Sequence, residues 1–197
     1  MTATSPNADS IVELIADIFE RRGAESYIGE AVTMSAHMLQ AAQLAEDQRA
    51  GDDMIAAALL HDIGHYTSEF GADAYLEDVD NVHEEAGARI LEQHFPAVVT
   101  SCVRLHVAAK RYLCTTNPNY YAQLSDASVT SLNLQGGLMS TSEVEAFESE
   151  AHYQAALRVR VWDDKAKDPD ATTPGFNHYA PVLKRVVNAH NAEVNSL

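Results

Sequence analysis

Near residue 60 the chain reads Leu59-Leu60-His61-Asp62-Ile63-Gly64-His65, so the end of an apolar run delivers two imidazoles and a carboxylate within five residues. His61 and His65 are four apart and can share a helical face. Three readings compete for such a cluster. The first is a buried histidine pair satisfied by hydrogen bonds, which does no chemistry. The second is a zincin, which needs His-Glu-x-x-His on a continuous helix. Here a shorter Asp stands for the Glu, and Gly64 disrupts the helix. The third is a two-metal site with Asp62 as the bridge, and the wider spacing favours it. His37 lies before the cluster, His83 and His106 after it, and Asp163 further on in Val161-Trp162-Asp163-Asp164. Each falls in an apolar or amphipathic segment, where an unpaired polar group is costly to bury. Helix bundles build metal sites by pointing one or two such groups inward from each helix. The ligand set is His37, His61, Asp62, His83, His106 and Asp163. Imidazole with carboxylate suits Fe, Mn or Zn better than Mg or Ca.

The elements that must carry these residues all read as helices. Ser10-x-x-Glu13 has the form of a capping box, followed by a stripe of Ile11, Leu14, Ile15, Ile18 and Phe19 closed by Gly23. Further helices are predicted over about 33–48, 52–63, 80–94 and 97–112, with a short one from Asn117-Pro118 and another over 125–134. Ser142-x-x-Glu145 suggests a second capping box, opening one long helix to about Lys167. A last helix covers about 178–193, after the break at Pro169 and Pro174-Gly175. No alternating strand pattern, internal repeat or linker divides the 197 residues, so the prediction is one all-α domain.

Composition narrows the partners. The 13 Lys+Arg against 29 Asp+Glu give a formal net charge of −16, which argues against a nucleic-acid binder. The chain contains no run of the roughly 18–20 apolar residues that span a bilayer, so no membrane partner is expected. The first seven residues have neither the basic nor the apolar region of a signal peptide. Cys102 and Cys114 read as reduced thiols, which points to a cytoplasmic protein.

The order H…HD…H…H…D resembles the HD-domain superfamily, most of whose members are metal-dependent phosphohydrolases. The resemblance narrows on Tyr27-Ile28-Gly29-Glu30, His106-Val107-Ala108-Ala109-Lys110-Arg111-Tyr112-Leu113, Ser125-Asp126-Ala127-Ser128, Gln135-Gly136-Gly137 with Met139, and Trp162-Asp163-Asp164-Lys165-Ala166-Lys167. Together these are similar to the phosphonate-cleaving, mixed-valent diiron oxygenases of HD type, relatives of myo-inositol oxygenase. The likeness covers about residues 10–190. It implies a single helical HD-type catalytic domain over 10–197 behind a flexible N-terminus over 1–9. It also implies two iron ions, Fe(II) and Fe(III), with O₂ as co-substrate. The implied reaction splits the carbon–phosphorus bond of 2-amino-1-hydroxyethylphosphonate, or of its N-trimethyl analogue, into phosphate and glycine or glycine betaine. An Fe/2-oxoglutarate hydroxylase would act before it.

By the same resemblance, His37, His61, Asp62 and Asp163 hold one iron, and Asp62, His83 and His106 hold the other. His65, Lys110, Ser128, Ser131 and Gln135 line the phosphonate end, Glu30 meets the amino group, and Tyr27 occupies a vacant iron position until substrate arrives. Residue spacing is compatible with this. Lys110 follows His106 by four and so can share its cavity, and Ser128 and Ser131 are three apart on one helix. Taken alone, Lys110 would read as a solvated lysine, Glu30 as a solvated loop carboxylate and Tyr27 as a core or rim aromatic. A quaternary ammonium would need aromatic faces, for which Tyr66, Phe70, Tyr75 and Tyr112 are candidates, with Glu69 and Glu77 nearby. His94, His152, His178 and His190 fall outside the pattern. The competing functions are a hydrolase of a phosphomonoester or nucleotide, using the same ligands without redox chemistry, and a non-catalytic module, which retention of all six ligands disfavours.

Overall fold

The computed structural model describes residues 8–27, 29–66 and 82–196. Ten α-helices follow one another: α1 (Ala8–Arg22), α2 (Met34–Asp47), α3 (Asp52–Leu60), α4 (His83–Leu91), α5 (Ala97–Thr116), α6 (Pro118–Tyr121), α7 (Asp126–Leu134), α8 (Thr141–Glu148), α9 (Tyr153–Lys165) and α10 (Phe176–Val194). A 3-10 turn, Ile63–Tyr66, follows α3. Among the described residues the only extended pairing is an isolated bridge between Ser26 and Thr33. The predicted all-α class is what the chain adopts. Among the described residues no helix is long and apolar enough to cross a membrane.

The bundle is organised around α3, whose Ile55–Leu60 stretch is buried throughout. Six consecutive buried residues leave α3 no polar face, which is the signature of a central helix. Helices α2, α5, α9 and α10 pack around it, α4 lies on α5 and the 3-10 turn, and α1 lies on α10. The core includes Ile15, Met34, Met38, Leu59, Leu60, Ile63, Trp162 and Leu183. A smaller cluster of Ala109, Met139, Phe147 and Ala156 fastens α8 and α9 to α5.

Several boundaries differ from the sequence reading for local reasons. The helix α1 is already running at Ala8, so Ser10 lies within it and does not cap it. The second capping box is Ser140 with Glu143, two residues before the predicted pair, with both reciprocal hydrogen bonds formed. The long helix predicted behind it is two helices. α8 stops at Glu148, where the Ser149 hydroxyl turns back to the Ala146 carbonyl, and α9 restarts at Tyr153. The helix carrying His61 ends at Leu60, which places His61 and Asp62 in the turn before the 3-10 segment.

Gly64 has a definite steric role. A Cβ built on it would lie 1.8 Å from the His83 carbonyl oxygen and 2.7 Å from the Gly87 nitrogen. The bare glycine lets the first turn of α4 rest against the 3-10 turn, and this brings His83 to the cluster.

Candidate metal centre

Four histidines arrive from four directions: His37 on α2, His61 just past α3, His83 opening α4 and His106 midway along α5. All four are buried, as are Asp62 and Asp163. The six residues predicted as ligands meet at one place. His37 Nε2 faces His61 Nε2 at 3.1 Å, and His83 Nε2 faces His106 Nε2 at 3.0 Å. Asp62 lies between the two pairs. Its Oδ2 is 3.4 Å from the Nε2 atoms of both His37 and His61, and its Oδ1 is 3.3 Å from His83 Nε2 and 3.2 Å from His106 Nε2. Asp163 closes the first pair, with Oδ1 3.4 Å from His37 Nε2 and Oδ2 3.7 Å from His61 Nε2.

The outer nitrogens show what the inner ones can do. His37 Nδ1 donates to the Ala166 carbonyl at 2.9 Å, His61 Nδ1 to Ala58 at 2.8 Å and His106 Nδ1 to Val103 at 2.7 Å. A carbonyl only accepts, so each Nδ1 carries the proton and a neutral ring has its lone pair on Nε2. In the first pair, two neutral rings with lone pairs aimed at one another at 3.1 Å need a proton or a metal ion between them. The buried Asp62 Oδ2 and Asp163 Oδ1 also lack a hydrogen-bond partner. Buried orphan acceptors of this kind fit metal ions, and the backbone-anchored Nδ1–H is the usual orienting contact of a ligating imidazole. Among the described residues, two sets bring their ligand atoms close enough together to hold a metal ion, His37–His61–Asp62 and Asp62–His83–His106. The residues therefore fit a pair of ions bridged by Asp62.

A pocket opens onto this cluster. Its lining includes Tyr27, Glu30, His65, Lys110, Ser128, Ser131 and Gln135. Lys110 is buried on α5 and donates to the Ser131 hydroxyl at 2.9 Å. Burial pushes its ammonium down to about 7, with Arg160 and then Lys167 adding to the shift. Gln135 ends α7 with a buried Oε1 that has no partner. His65 stacks on His83 with ring centroids 3.8 Å apart, and its Nε2 lies 3.9 Å from Asp62 Oδ1. Burial, then the charge of His83, holds the His65 imidazole well below its usual range. Tyr27 stacks on His37 at 4.0 Å, and burial, then Asp62 and Asp163, raises its phenol well above the ordinary value. Glu30 accepts from the Ser125 hydroxyl at 2.6 Å and pairs with Lys167 at 3.0 Å.

The aromatic candidates fare differently. Tyr66 is packed in the core under the Arg22 guanidinium, and Tyr112 donates to Glu148 beside Phe147; neither lines the pocket. Phe70, Tyr75, Glu69 and Glu77 lie outside the described residues. His94, His152, His178 and His190 stand away from the cluster, and His178 pairs with Glu46 on the surface.

Two pocket residues had been given no role from sequence. Arg160, buried on α9, lies 2.7 Å from Asp163 Oδ2 and pairs with Asp164, and its Nε donates to the Tyr120 hydroxyl at 3.2 Å. Its spacing of three and four from two aspartates was the available signal. Lys167 had no such mark. With Lys110, these place three of the chain's 13 cationic side chains in the pocket lining. That local positive charge opposes the long-range repulsion of an anion by a chain at −16.

A carboxylate giving one oxygen to each of two histidine pairs, inside a helical bundle, defines a histidine–aspartate metalloprotein, and residues 34–128 match the HD domain family. The chain is 52% identical over 184 residues, 93% of its length and 94% of the relative's, to the 1-hydroxy-2-(trimethylamino)ethyl phosphonate dioxygenase (glycine-betaine-forming) of Leisingera caerulea. It is 41% identical over 170 residues, 85% of each chain, to the hydroxymethylphosphonate dioxygenase of Gimesia maris. An uncharacterised protein of Acanthamoeba polyphaga mimivirus is 37% identical over 174 residues, covering 87% of this chain and 80% of that one. The chain belongs to the HD-domain phosphonate dioxygenases.

Proposed function

We propose that the protein cleaves the carbon–phosphorus bond of a 1-hydroxyphosphonate with O₂. The substrate is 1-hydroxy-2-(trimethylammonio)ethylphosphonate or 2-amino-1-hydroxyethylphosphonate, and the products are phosphate with glycine betaine or glycine. C1 becomes a carboxylate and the C1–P bond is replaced by P–O. One O₂ accepts the four electrons released, and both its atoms end in the products. The observation that carries this reading is the Asp62-bridged pair of histidine couples at the floor of a pocket with cationic walls, in a chain so similar to the Leisingera enzyme.

In this reading His37, His61, Asp62 and Asp163 hold one iron, and Asp62, His83 and His106 hold the other. When bound, an Fe(II)/Fe(III) pair would supply the O₂-dependent redox chemistry and positive charge facing the hydroxyl and the phosphonate. The chain's own groups place the substrate. Lys110 donates to the phosphonate, as do the Ser128 and Ser131 hydroxyls at successive turns of α7, with the Gln135 amide at the end of that helix. His65, kept neutral, donates one N–H to the same oxygens without adding charge beside His83. Glu30 faces the ammonium end. Tyr27, with its phenol kept protonated, covers His37 and yields its place when substrate enters. The 1-hydroxyl must be installed beforehand, so an Fe/2-oxoglutarate hydroxylase of the parent aminophosphonate precedes this step.

The test is aerobic turnover of both hydroxyphosphonates by the iron-loaded protein, with product identification. The expected result is one phosphate per O₂ consumed, together with glycine betaine or glycine. Zinc-loaded protein releasing phosphate from a phosphomonoester without O₂, and inert towards both phosphonates, would establish the hydrolase instead.

A further inference from the structure

Lys167 sits two residues beyond the end of α9, and its backbone is clamped on both sides. The Ala166 carbonyl accepts from His37 Nδ1, and the Asp168 N–H and carbonyl are both bonded to the Gln40 amide. Only the side chain is free to rearrange. Its ammonium lies 3.0 Å from Glu30 Oε1 and 2.7 Å from Ser128 Oγ, and 5.8 Å from the centre of the Tyr27 ring. A carboxylate beside an aromatic face is the chemistry that recognises a quaternary ammonium. The place suited to the substrate's cationic tail is thus filled by a cation belonging to the protein.

Resting on the functional reading above, we propose that Lys167 is a specificity-determining residue, a built-in occupant of the tail site that pairs with Glu30 until a trimethylammonium displaces it. Displaced, its ammonium pivots away from Glu30 while keeping Ser128, and so remains at the edge of the phosphonate end. A substrate with a cationic tail replaces the Lys167–Glu30 pair by its own pair with Glu30. A phosphonate without a cationic tail leaves the pair intact, and the pocket stays neutralised around it. Competition between the two cations for one carboxylate tunes how strongly the enzyme prefers a charged tail.

The experiment measures binding of two probes that lack the 1-hydroxyl and are not turned over, 2-(trimethylammonio)ethylphosphonate and ethylphosphonate. Both are titrated calorimetrically into anaerobic iron-loaded protein. Lys167→Met removes the competitor. The dissociation constant of the trimethylammonium probe then falls about threefold and that of ethylphosphonate rises about threefold, a change of about tenfold in their quotient. Lys167→Arg keeps the charge and the wild-type quotient. Glu30→Gln moves the quotient the other way, by weakening only the cationic probe, and tests the shared carboxylate. Should Lys167→Met fail to fold, Lys167→Gln, which removes the charge but keeps a polar contact to Ser128, takes its place and is expected to shift the quotient in the same direction as Lys167→Met. Equal weakening of both probes in Lys167→Met would make Lys167 a plain phosphonate ligand and overturn the proposal, as would an unchanged quotient. Failure of the oxygenase reading has a separate signature, since wild-type protein would then cleave neither hydroxyphosphonate whatever the quotient shows.

Discussion

Replacing Gly64 with Ala perturbs half of the metal centre while leaving every proposed ligand in the chain. The added Cβ would sit 1.8 Å from the His83 carbonyl oxygen, and ordinary contact begins at 3.4 Å. Relief therefore requires the first turn of α4 to move by about 1.6 Å, or the 3-10 turn to retreat by as much. His83 is carried on that turn with its Nε2 3.3 Å from Asp62 Oδ1. Ligand distances in a metal site tolerate only about 0.2 Å. The shift exceeds this several times over, so with α4 as the element that yields, the Asp62–His83–His106 ion is lost while the His37–His61–Asp163 side keeps its own. Overpacking of this kind costs about 1–3 kcal/mol, which lowers Tm by several degrees and leaves the bundle folded. The assay is metal content by elemental analysis of iron-loaded, desalted protein, alongside circular dichroism. Wild type is expected to hold two irons per chain and Gly64→Ala one, with phosphonate cleavage abolished. A folded Gly64→Ala protein that retains two irons and full turnover would refute the steric argument.

Two further outcomes follow from the pocket wall. Lys110, pushed down to about 7, loses its charge as pH rises through that value, so KM for the phosphonate should climb between pH 7 and 9. Lys110→Met should show a high KM without that additional climb, and parallel profiles for the two proteins would contradict the assignment. Arg160→Met leaves Asp163 and Asp164 without their buried counter-ion and should cost the metal-free protein about 3–5 kcal/mol in urea unfolding; a loss below about 1 kcal/mol would show that the pair contributes little.

Much of the site was legible because each ligand breaks a local pattern. His37, His61, His83 and His106 interrupt apolar helical faces, and an imidazole there needs a reason. Asp62 was recognisable as a bridge because it adjoins His61 while the other histidines are spread evenly to either side. The length of α8 was misread because helical propensity does not report a break such as Ser149–His152, which is set by packing against α5. Two of the aromatic candidates, Tyr66 and Tyr112, fall outside the pocket for a related reason. Aromatic content pointed to Tyr66 and Tyr112, but burial took Tyr66 into the core and a hydrogen bond to Glu148 holds Tyr112 away from the pocket. The partnership of Lys167 with Glu30 joins residues 137 apart in sequence. No periodicity encodes such a contact, which exists only once α9 is docked.

The end of α9 and the two residues after it contribute the Asp163 carboxylate, the Ala166 carbonyl that orients His37 and the Lys167 ammonium that pairs with Glu30. Metal retention and tail preference therefore share one short stretch of backbone. A lineage drifting towards a new phosphonate could not insert or delete a residue there without disturbing the metal centre, so divergence in selectivity is channelled into side-chain exchange at fixed length.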